Sequence, residues 1–419
     1  MNGETAPTPS GPALVAAVPG ADTGPVHPHP TVRPGPFDPP VELGKDREEQ
    51  PVRRMRYPDG HIGWLVTGHH LARSMLADPR FSARSEYKRP PVARPGAEPF
   101  YGAPALPGWL VDMDAPEHTR IRQRLAGAFT ARRMRAMRPS VDRIVDGLLD
   151  AMDRTGPPLD LVEHFALPVP SAVVCELLGV PYEARAEFQR NSEVLFSLDV
   201  TAADAAAAMD RLYAFLRDLI TRHDGGEGDG LLRALLRDGT LDTEEITGVG
   251  VLLLTAGHES TSSSLALSTY ALIAHPDQLA LLKADPGLVD NAVEELLRHL
   301  TVFHFGVPRT PLEDVEFGGR LLRAGDSVTV SLPAANRDPE RFAEDPDRLD
   351  ITRRATGHLA FGYGIHQCLG QNLVRMEMRA ALPALFRRFP DLALAVPPED
   401  IPLSTDMSVY GVHRLPVTW

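Results

Sequence analysis

Apolar residues recur at helical spacing along most of the chain beyond residue 70, so the sequence is predicted to be mainly α-helical. Breaks at glycine and proline separate successive predicted helices, which cover residues 139–154, 161–178, 182–196, 203–222 and about 286–299. Short β-like runs predict strands at residues 54–57, 63–67, 315–317, 327–331 and 409–410. The predicted fold class is therefore mainly α with minor β, most simply arranged as one domain.

The longest predicted helix begins after Asp242, which is followed three residues later by Glu245 in a capping arrangement. It continues to about Ala274 and ends at His275-Pro276, because proline removes an amide donor and restricts the residue before it. At 1.5 Å per residue such a helix would be roughly 48 Å long. It is apolar over much of its circumference, which predicts a central position.

Composition limits the kinds of protein this chain can be. The net charge of −13 argues against nucleic acid as a partner. The two cysteines exclude a disulfide framework and indicate a reducing, cytoplasmic setting. No segment approaches the roughly 20 apolar residues that a membrane-spanning helix needs. Residues 1–35, rich in proline, glycine and alanine, are predicted to be a poorly ordered leader before a domain at 36–419, and the glycine-rich segment 225–230 a flexible connector.

Cys368 lies in the sequence Phe361-Gly-Tyr-Gly-Ile-His-Gln-Cys-Leu-Gly370, just before a predicted helix. Closely spaced glycines let the backbone approach a flat ligand. A helix start favours a thiolate, and a thiolate can be the axial ligand of haem iron. A small buried cysteine in a turn is the alternative interpretation of a lone cysteine.

A second motif, Thr255-Ala256-Gly257-His258-Glu259-Ser260-Thr261, lies in the middle of the long predicted helix. A glycine followed by an acid and hydroxyl groups favours local widening of the helix, where water could build a proton relay. On these residues alone, glycine and serine that simply permit close helix packing are an equally good interpretation.

These motifs resemble those of the cytochromes P450: Phe-Gly-x-Gly-x-His-x-Cys-x-Gly around the cysteine and Ala-Gly-x-Glu/Asp-Thr in the long helix. Ser260 stands where the family usually has threonine. The resemblance covers roughly residues 40–419 and implies a single triangular domain of the P450 fold that binds haem b. It implies that Cys368 is the metal ligand, that Glu259, Ser260 and Thr261 are catalytic, and that haem contacts come from His118, Arg122, Ala256, Gly257, Arg309, Phe361, Gly362, His366 and Gly370.

The haem carboxylates need cationic or hydrogen-bonding partners. His118 and Arg122 match the His-x-x-x-Arg of the family's helix C, and Arg309 matches a strand arginine. Glu295 and Arg298 match the family's Glu-x-x-Arg pair, which is buried and joined by an arginine from the meander. Arg348 is the match for that third member, and the role expected of the three is structural.

The resemblance implies a soluble bacterial-type monooxygenase that inserts one oxygen atom from O2 into a small organic substrate by hydroxylation or epoxidation. It is similar to actinobacterial P450s that tailor antibiotics such as macrolides. The alternatives are a haem-thiolate enzyme that uses peroxide or performs C–C coupling, and a non-enzymatic haem-binding protein. No flavin or nicotinamide module is evident, so a ferredoxin and ferredoxin reductase are the expected electron donors, and the protein is expected to be a monomer.

An acidic ferredoxin would dock on a basic patch, for which the candidate arginines are Arg120, Arg124, Arg132, Arg133, Arg135 and Arg375. A merely solvated set of helix charges is the alternative. By the same resemblance, the substrate pocket is predicted to be lined by residues 85–110, 186–200, 203–215, 253–256, 302–307 and 407–410. Aromatic residues among prolines and glycines suit the first segment to a mobile lid.

Overall fold

A computed structural model of the chain describes residues 26–222 and 230–419. Residues 1–25 of the predicted leader and residues 225–229 of the predicted glycine-rich connector lie outside the described residues.

Helices account for most of the described residues, as the apolar periodicity predicts. The α-helices of the described residues are α1 (Val41–Glu49), α2 (His69–Ala77), α3 (Glu117–Ala126), α4 (Ala131–Thr155), α5 (Pro168–Leu178), α6 (Arg185–Phe196), α7 (Ala202–Arg222), α8 (Leu231–Asp238), α9 (Thr243–Ala274), α10 (Pro276–Ala284), α11 (Val289–Leu300), α12 (Leu332–Asn336) and α13 (Gln371–Arg388). None of them combines the length and the apolar character that a bilayer span requires.

The strands are short and form a minor part of the fold. They are β1 (His27–Pro28), β2 (Val52–Arg56), β3 (Ile62–Val66), β4 (Phe81–Ser82), β5 (Leu159–Asp160), β6 (Val307–Pro311), β7 (Val315–Phe317), β8 (Arg320–Leu322), β9 (Val328–Val330), β10 (Ala393–Leu394) and β11 (Pro416–Thr418). The largest sheet has the order β1-β2-β3-β9-β6-β4, in which β3 and β9 are parallel and β6 and β9 are antiparallel.

Helix α9 is the central element, as its apolar circumference predicts. The Asp242 side chain accepts from the Glu245 amide, the Glu245 side chain accepts from the Asp242 amide, and this capping box starts the helix. The helix ends at Ala274, immediately before His275-Pro276. Its buried face belongs to one large apolar cluster that also includes residues of α4, α5, α7, α11 and α13. The predicted bounds of this helix are therefore confirmed.

The structure corrects two sequence expectations. Residues 26–35 of the predicted leader pack on the domain, since β1 pairs in parallel with β2 and the Arg33 guanidinium lies 3.6 Å from the centre of the Tyr410 ring. Backbone pairing and this cation–π contact order a proline-rich segment that composition assigns to a leader. The predicted strand at Val409 and Tyr410 is absent, although the Tyr410 amide donates to the Val302 carbonyl at 2.8 Å.

Candidate functional site: the cysteine loop and its cavity

The loop that carries Cys368 lies between the irregular segment that follows α12 and the start of α13. Its backbone is held from within, since the Cys368 amide donates to the Phe361 carbonyl at 2.9 Å and the Gln367 amide donates to the Gly364 carbonyl at 3.0 Å. Helix α13 begins at Gln371 with Gly370 as its N-cap, so Cys368 stands just before a helix start, as the sequence predicts.

Glycine is required in this loop because the loop lies directly against helix α2. Gly364 has a φ of +74°, and a Cβ there would lie 2.2 Å from the Leu76 carbonyl oxygen. Gly362 also has a positive φ, of +66°, which L side chains rarely adopt. These two positions therefore fix the turn that carries the cysteine.

Cys368 faces a largely apolar cavity of about 470 Å³, which lies between the loop and helix α9. This volume is within the range of small-molecule sites, roughly 300–1,000 Å³. The cavity wall includes most of the predicted site residues: His118, Arg122, Ala256, Gly257, Ser260, Arg309, Phe361, Gly362, His366, Cys368 and Gly370. Residues that are far apart in the sequence thus meet at one cavity.

Opposing effects act on the pKa of the Cys368 thiol. Burial raises the pKa of the Cys368 thiol, and it outweighs the amides of Gly370 and Gln371 and the guanidiniums of Arg122 and Arg375, all of which lower it. The helix start does favour the thiolate, as predicted, but it does not overcome desolvation by itself. A cation bound at the sulfur would supply the missing stabilisation.

Several polar groups in the cavity wall have no partner among the described residues. Both ring nitrogens of His118, which is 1% exposed, and Nε2 of His366 are buried without a hydrogen bond. The two rings lie 4.2 Å apart, centre to centre. Burial, and then the charge of Arg122, lower the pKa of His118 to about 4, while burial, and then the charge of Arg309, lower the pKa of His366 to about 2.

The two arginines beside these histidines are also incompletely paired. Arg309 is 5% exposed, and its one hydrogen bond to a described residue joins Nη1 to the carbonyl of the adjacent Pro308 at 2.8 Å. Burial lowers the pKa of Arg309 to about 10. Arg122 donates to the Gln367 carbonyl at 2.5 Å. Unsatisfied buried donors are costly, so this end of the cavity fits a ligand that carries anionic oxygens.

Helix α9 forms the opposite wall of the cavity through Ala256, Gly257 and Ser260. The Ser260 hydroxyl donates to the Ala256 carbonyl at 3.2 Å, and the Ser264 hydroxyl donates to the Ser260 carbonyl at 2.7 Å. Each hydroxyl oxygen retains lone pairs and can accept a hydrogen bond from a donor in the cavity.

Helix widening at this motif is not observed, because α9 is a continuous α-helix from Thr243 to Ala274. A Cβ at Gly257 would lie 3.0 Å from Cγ2 of Val174 on helix α5. Close packing of α9 against α5 thus accounts for the absence of a side chain at Gly257, although this residue also borders the cavity. The structure therefore leaves room for both interpretations of this glycine, close helix packing and contact with a ligand in the cavity.

The other two residues expected to be catalytic, Glu259 and Thr261, do not line the cavity. Glu259 lies beside His258, with Oε1 3.6 Å from Nε2, and the Thr261 hydroxyl donates to the Gly257 carbonyl at 3.4 Å. Of the three residues expected to be catalytic, the structure therefore brings Ser260 alone to the cavity wall.

Most predicted pocket-lining segments do contribute to the cavity, but residues 203–215 do not. Helix α7, which contains them, packs instead against α6, α9 and the turn Pro95–Phe100. Sequence reasoning also missed two cations in the first segment, Lys88 and Arg94, which line the cavity beside Tyr101. Both residues lie close to Pro90-Pro91, in the segment already predicted to be a lid. This position is the sequence signal that could have identified them.

The buried ion pair beneath the site confirms one prediction and corrects another. Glu295 and Arg298 are fully buried and form a two-pronged pair. The third member is Arg353, whose Nε lies 3.3 Å from Glu295 Oε1, and not Arg348. Arg348 contacts the ion pair only through its backbone carbonyl, which accepts a hydrogen bond from Arg298 Nη2 at 3.5 Å.

Comparisons with known proteins agree with this geometry. A sequence model of the cytochrome P450 family matches residues 286–416. Cytochrome P450 105C1 from a Streptomyces species is 48% identical over 390 residues, which are 93% of this chain and 97% of the relative. A crystal structure of CYP105P1 in complex with filipin I has a TM-score of 0.87 and 44% identity, and covers 94% of this chain and 99% of that chain.

A further similar structure is that of the mycinamicin VIII C21 methyl hydroxylase MycCI from Micromonospora griseorubida, bound to mycinamicin VIII. It has a TM-score of 0.87 and 35% identity, and covers 94% of this chain and 100% of that chain. The chain belongs to the cytochrome P450 family and has the P450 fold. Members of this family are haem-binding monooxygenases that act on small molecules with electrons from redox partners.

The residues present fit haem. The cavity places a thiol, a glycine loop and an apolar helix face around one space. The unpartnered nitrogens of His118 and His366 and the incompletely paired Arg309 lie in the wall of the same cavity, where two carboxylates could satisfy them.

Proposed function

We propose that Cys368 is the axial ligand of the haem iron and that the enzyme inserts one oxygen atom from O2 into a C–H or C=C bond of a small organic substrate. The observation that carries this proposal is the Cys368 thiol in the wall of an apolar cavity that also contains unpartnered buried nitrogens of His118. When bound, haem supplies the activation of O2.

The roles of the protein's own groups follow from their positions. The amides of Gly370 and Gln371 stabilise negative charge on the Cys368 sulfur. His118, Arg122, Arg309 and His366 would hold the haem carboxylates. Ser260 would accept and pass on a proton at Oγ, by exchanging its bond to the Ala256 carbonyl for one into the cavity. The apolar lining of the cavity would exclude water from the reacting atoms.

The test of this proposal is the spectrum of the reduced CO complex combined with turnover. Wild type is expected to give the thiolate-type Soret band, because the haem iron of P450s is held by a cysteine thiolate. Cys368→His should abolish this band while leaving the far-UV circular dichroism unchanged. Cys175→Ser, in the apolar core, is the matched control and should keep the band. An unchanged spectrum in Cys368→His contradicts the assignment.

We also propose a small acidic ferredoxin, with its reductase, as the electron donor. Four exposed arginines support this proposal: Arg124, Arg132, Arg133 and Arg135. The Asn372 side chain donates to the Phe129 carbonyl at 3.1 Å, so the start of α4, which carries three of these arginines, adjoins the start of α13 beside Cys368. The two other candidate arginines fit less well, because Arg120 pairs with Glu245 and Arg375 with Glu294.

Charge reversal tests this docking surface. Arg132→Glu and Arg133→Glu together should weaken ferredoxin-dependent reduction several-fold and flatten its dependence on ionic strength. Arg222→Glu, on the exposed end of α7, is the control and should leave both unchanged. Reduction that is insensitive to the first two changes would place the docking site elsewhere, and turnover with peroxide but not with NADH would favour the peroxide-dependent alternative.

The proposed substrates are macrolide-like secondary metabolites, which the enzyme would hydroxylate or epoxidise. The similarity to CYP105P1, solved with filipin I, and to a mycinamicin VIII hydroxylase supports this proposal, as does the largely apolar cavity. A screen of such compounds by Soret shift, followed by product analysis with NADH, ferredoxin and reductase, tests it. A library in which none of these compounds shifts the Soret band would contradict the proposed substrate class.

A cytoplasmic monomer is the proposed form of the enzyme. The two cysteines support a reducing compartment, because Cys175 is buried in the core and Cys368 faces the cavity, and neither forms a disulfide. Light scattering of the purified enzyme tests the monomer.

A further inference from the structure

Arg94 is a cation in the cavity wall that no described carboxylate neutralises. Its Nη2 donates to the Leu195 carbonyl at the end of α6, and its Nε is buried without a partner. Burial lowers the pKa of Arg94, and the opposing influence comes from Tyr101. Arg94 is half-buried, but a guanidinium whose Nε is buried without a partner and which has no counter-ion favours a ligand that carries negative charge.

Of the charged residues in the cavity wall, Arg94 is the one whose charge has no counter-ion among the described residues or in haem. Among the lining residues, Lys88 forms an ion pair with Asp112, and the two charges cancel. Arg122 and Arg309 lie at the end of the cavity beside the unpartnered histidines, where the two carboxylates of haem would match their two charges. Arg94 then remains as one positive charge with no partner, and the substrate is the group still to be bound.

Tyr101 supplies a second donor near Arg94. Its hydroxyl makes no hydrogen bond to another described residue, and the side chain lines the same cavity. Burial raises the pKa of Tyr101 to about 12, Asp112 raises it further and Arg94 lowers it, so the phenol lies within electrostatic range of both. At neutral pH the hydroxyl is therefore protonated and can donate to an anionic oxygen.

We propose that Arg94 and Tyr101 form a subsite that binds a carboxylate of the substrate, so that the enzyme acts on organic acids with an apolar body. This inference rests on the proposed monooxygenase function and narrows the proposed secondary-metabolite substrates to those that carry a carboxylate. The remaining lining residues near this end are apolar, among them Val92, Phe196 and Leu198, and they fit the body of such an acid. The carboxylate anchors one end of the molecule, and the oxidised carbon lies away from that end.

Matched acids and esters test the subsite without turnover. Dodecanoic acid and its methyl ester, and the corresponding ω-imidazolyl acid and ester, are titrated against the ferric enzyme by Soret shift and by calorimetry. The imidazole fixes one end of the second pair, so only the carboxylate differs between its members. Wild type is expected to bind each acid roughly ten- to hundred-fold more tightly than its ester, as charge-assisted hydrogen bonds allow.

The variants assign this preference to particular side chains. Arg94→Ala should remove the preference for acids, Arg94→Lys should retain part of it, and Tyr101→Phe should reduce it several-fold. Arg89→Ala is the matched control, because Arg89 belongs to the same segment but pairs with Asp59 at the surface, and it should keep the full preference.

Two results would overturn the subsite: equal affinity of wild type for acid and ester, or an unchanged preference in Arg94→Ala. Circular dichroism and the reduced CO spectrum of each variant separate a folding defect from a lost contact. Failure of the proposed function appears in different measurements, namely a missing thiolate-type band or no NADH-dependent product. Neither of these depends on the acid preference.

Discussion

The Arg298 guanidinium lies against the Glu295 carboxylate deep inside the protein, with Nε 2.7 Å from Oε2 and Nη2 2.7 Å from Oε1. Neither side chain is exposed to solvent. Arg298 Nη1 also donates to the carbonyls of Asn336 and Pro346, each at 2.8 Å. One guanidinium thus joins helix α11 to the end of α12 and to the meander that leads to the cysteine loop.

Removal of Arg298 should therefore destabilise the protein. In Arg298→Ala, Glu295 keeps a buried charge with less compensation, and breaking such a pair costs about 3–5 kcal/mol. We expect less soluble protein, a lower urea midpoint and a lower haem content per chain. A variant with wild-type stability and haem content would show that the pair is dispensable.

Arg353 and Arg348 offer a sharper comparison. Arg353 contacts the Glu295 carboxylate and donates Nη1 to the Ala343 carbonyl at 2.6 Å, whereas Arg348 contributes its backbone carbonyl to this region. Arg353→Ala should lower the urea midpoint, and Arg348→Ala should leave it nearly unchanged. If Arg348→Ala lowered the urea midpoint and Arg353→Ala did not, Arg348 would be the third member of the Glu295–Arg298 ion-pair cluster.

The same residues show what the sequence can and cannot predict. The bounds of α9 were predictable because Asp242 and Glu245 form a local capping box and because proline follows His275. The Glu295–Arg298 pair was predictable because three-residue spacing places both side chains on one helix face. The choice of Arg353 over Arg348 depends on the path of an irregular segment, which has no periodicity to reveal it.

Other differences also arise from long-range contacts. Strand β1 contains a proline and carries no strand pattern of its own, so its pairing with β2 depends on the partner strand. The helical pattern of α7 predicts a buried face but does not identify the element that covers it. The turn Pro95–Phe100 packs against α7, which was predicted to line the substrate pocket. The subsite residue Arg94 is visible in the sequence only as one arginine among many.

Haem retention should depend on Arg309. This residue is buried and incompletely paired, so a haem carboxylate is the partner we expect for it. Arg309→Ala should accelerate haem transfer to apomyoglobin by roughly ten- to hundred-fold, the range of a charge-assisted hydrogen bond. Arg120→Ala is the control, since Arg120 pairs with Glu245 at the surface. Equal transfer rates in the two variants would contradict the assignment.

Ser260 is expected to control coupling of NADH consumption to product formation. Ser260→Ala should lower the product formed per NADH by about ten-fold or more and raise peroxide, because general acid–base groups contribute about 10²–10⁴ in rate. Ser260→Thr should retain or improve coupling, since threonine keeps the hydroxyl in fewer rotamers. The measurement is product and peroxide per NADH consumed, with one true substrate.

Ser264→Ala is the matched control for Ser260, because Ser264 lines the cavity one turn further along α9. It should leave coupling unchanged. If Ser260→Ala also couples normally, protons reach the site by another route. Thr261 or a substrate hydroxyl would be the next groups to test, although Thr261 does not line the cavity.

Glu377 on helix α13 should make stability fall as pH rises. It is 1% exposed, its Oε2 has no partner among the described residues, and burial raises its pKa well above the usual range of a glutamate. The folded state therefore keeps a proton that the unfolded chain loses near pH 4.3. Between that pH and the folded-state pKa, the free energy of unfolding should fall by about 1.4 kcal/mol per pH unit.

Glu377→Gln removes this titration while keeping the shape of the side chain, so its stabilising effect should grow as pH rises above about 4.3, the pKa in the unfolded chain. Glu294 provides the opposite case: burial raises its pKa, but the hydrogen bonds and charges of His358 and Arg375 together outweigh burial and lower the pKa to about 2. Its stabilising contribution is present at neutral pH and is lost as pH falls below the unfolded pKa. Urea unfolding of wild type, Glu377→Gln and Glu294→Gln at several pH values measures how each glutamate changes the free energy of unfolding with pH. If the effect of Glu377→Gln did not vary with pH, Glu377 would have to be ionised in the folded protein, with a partner for its charge.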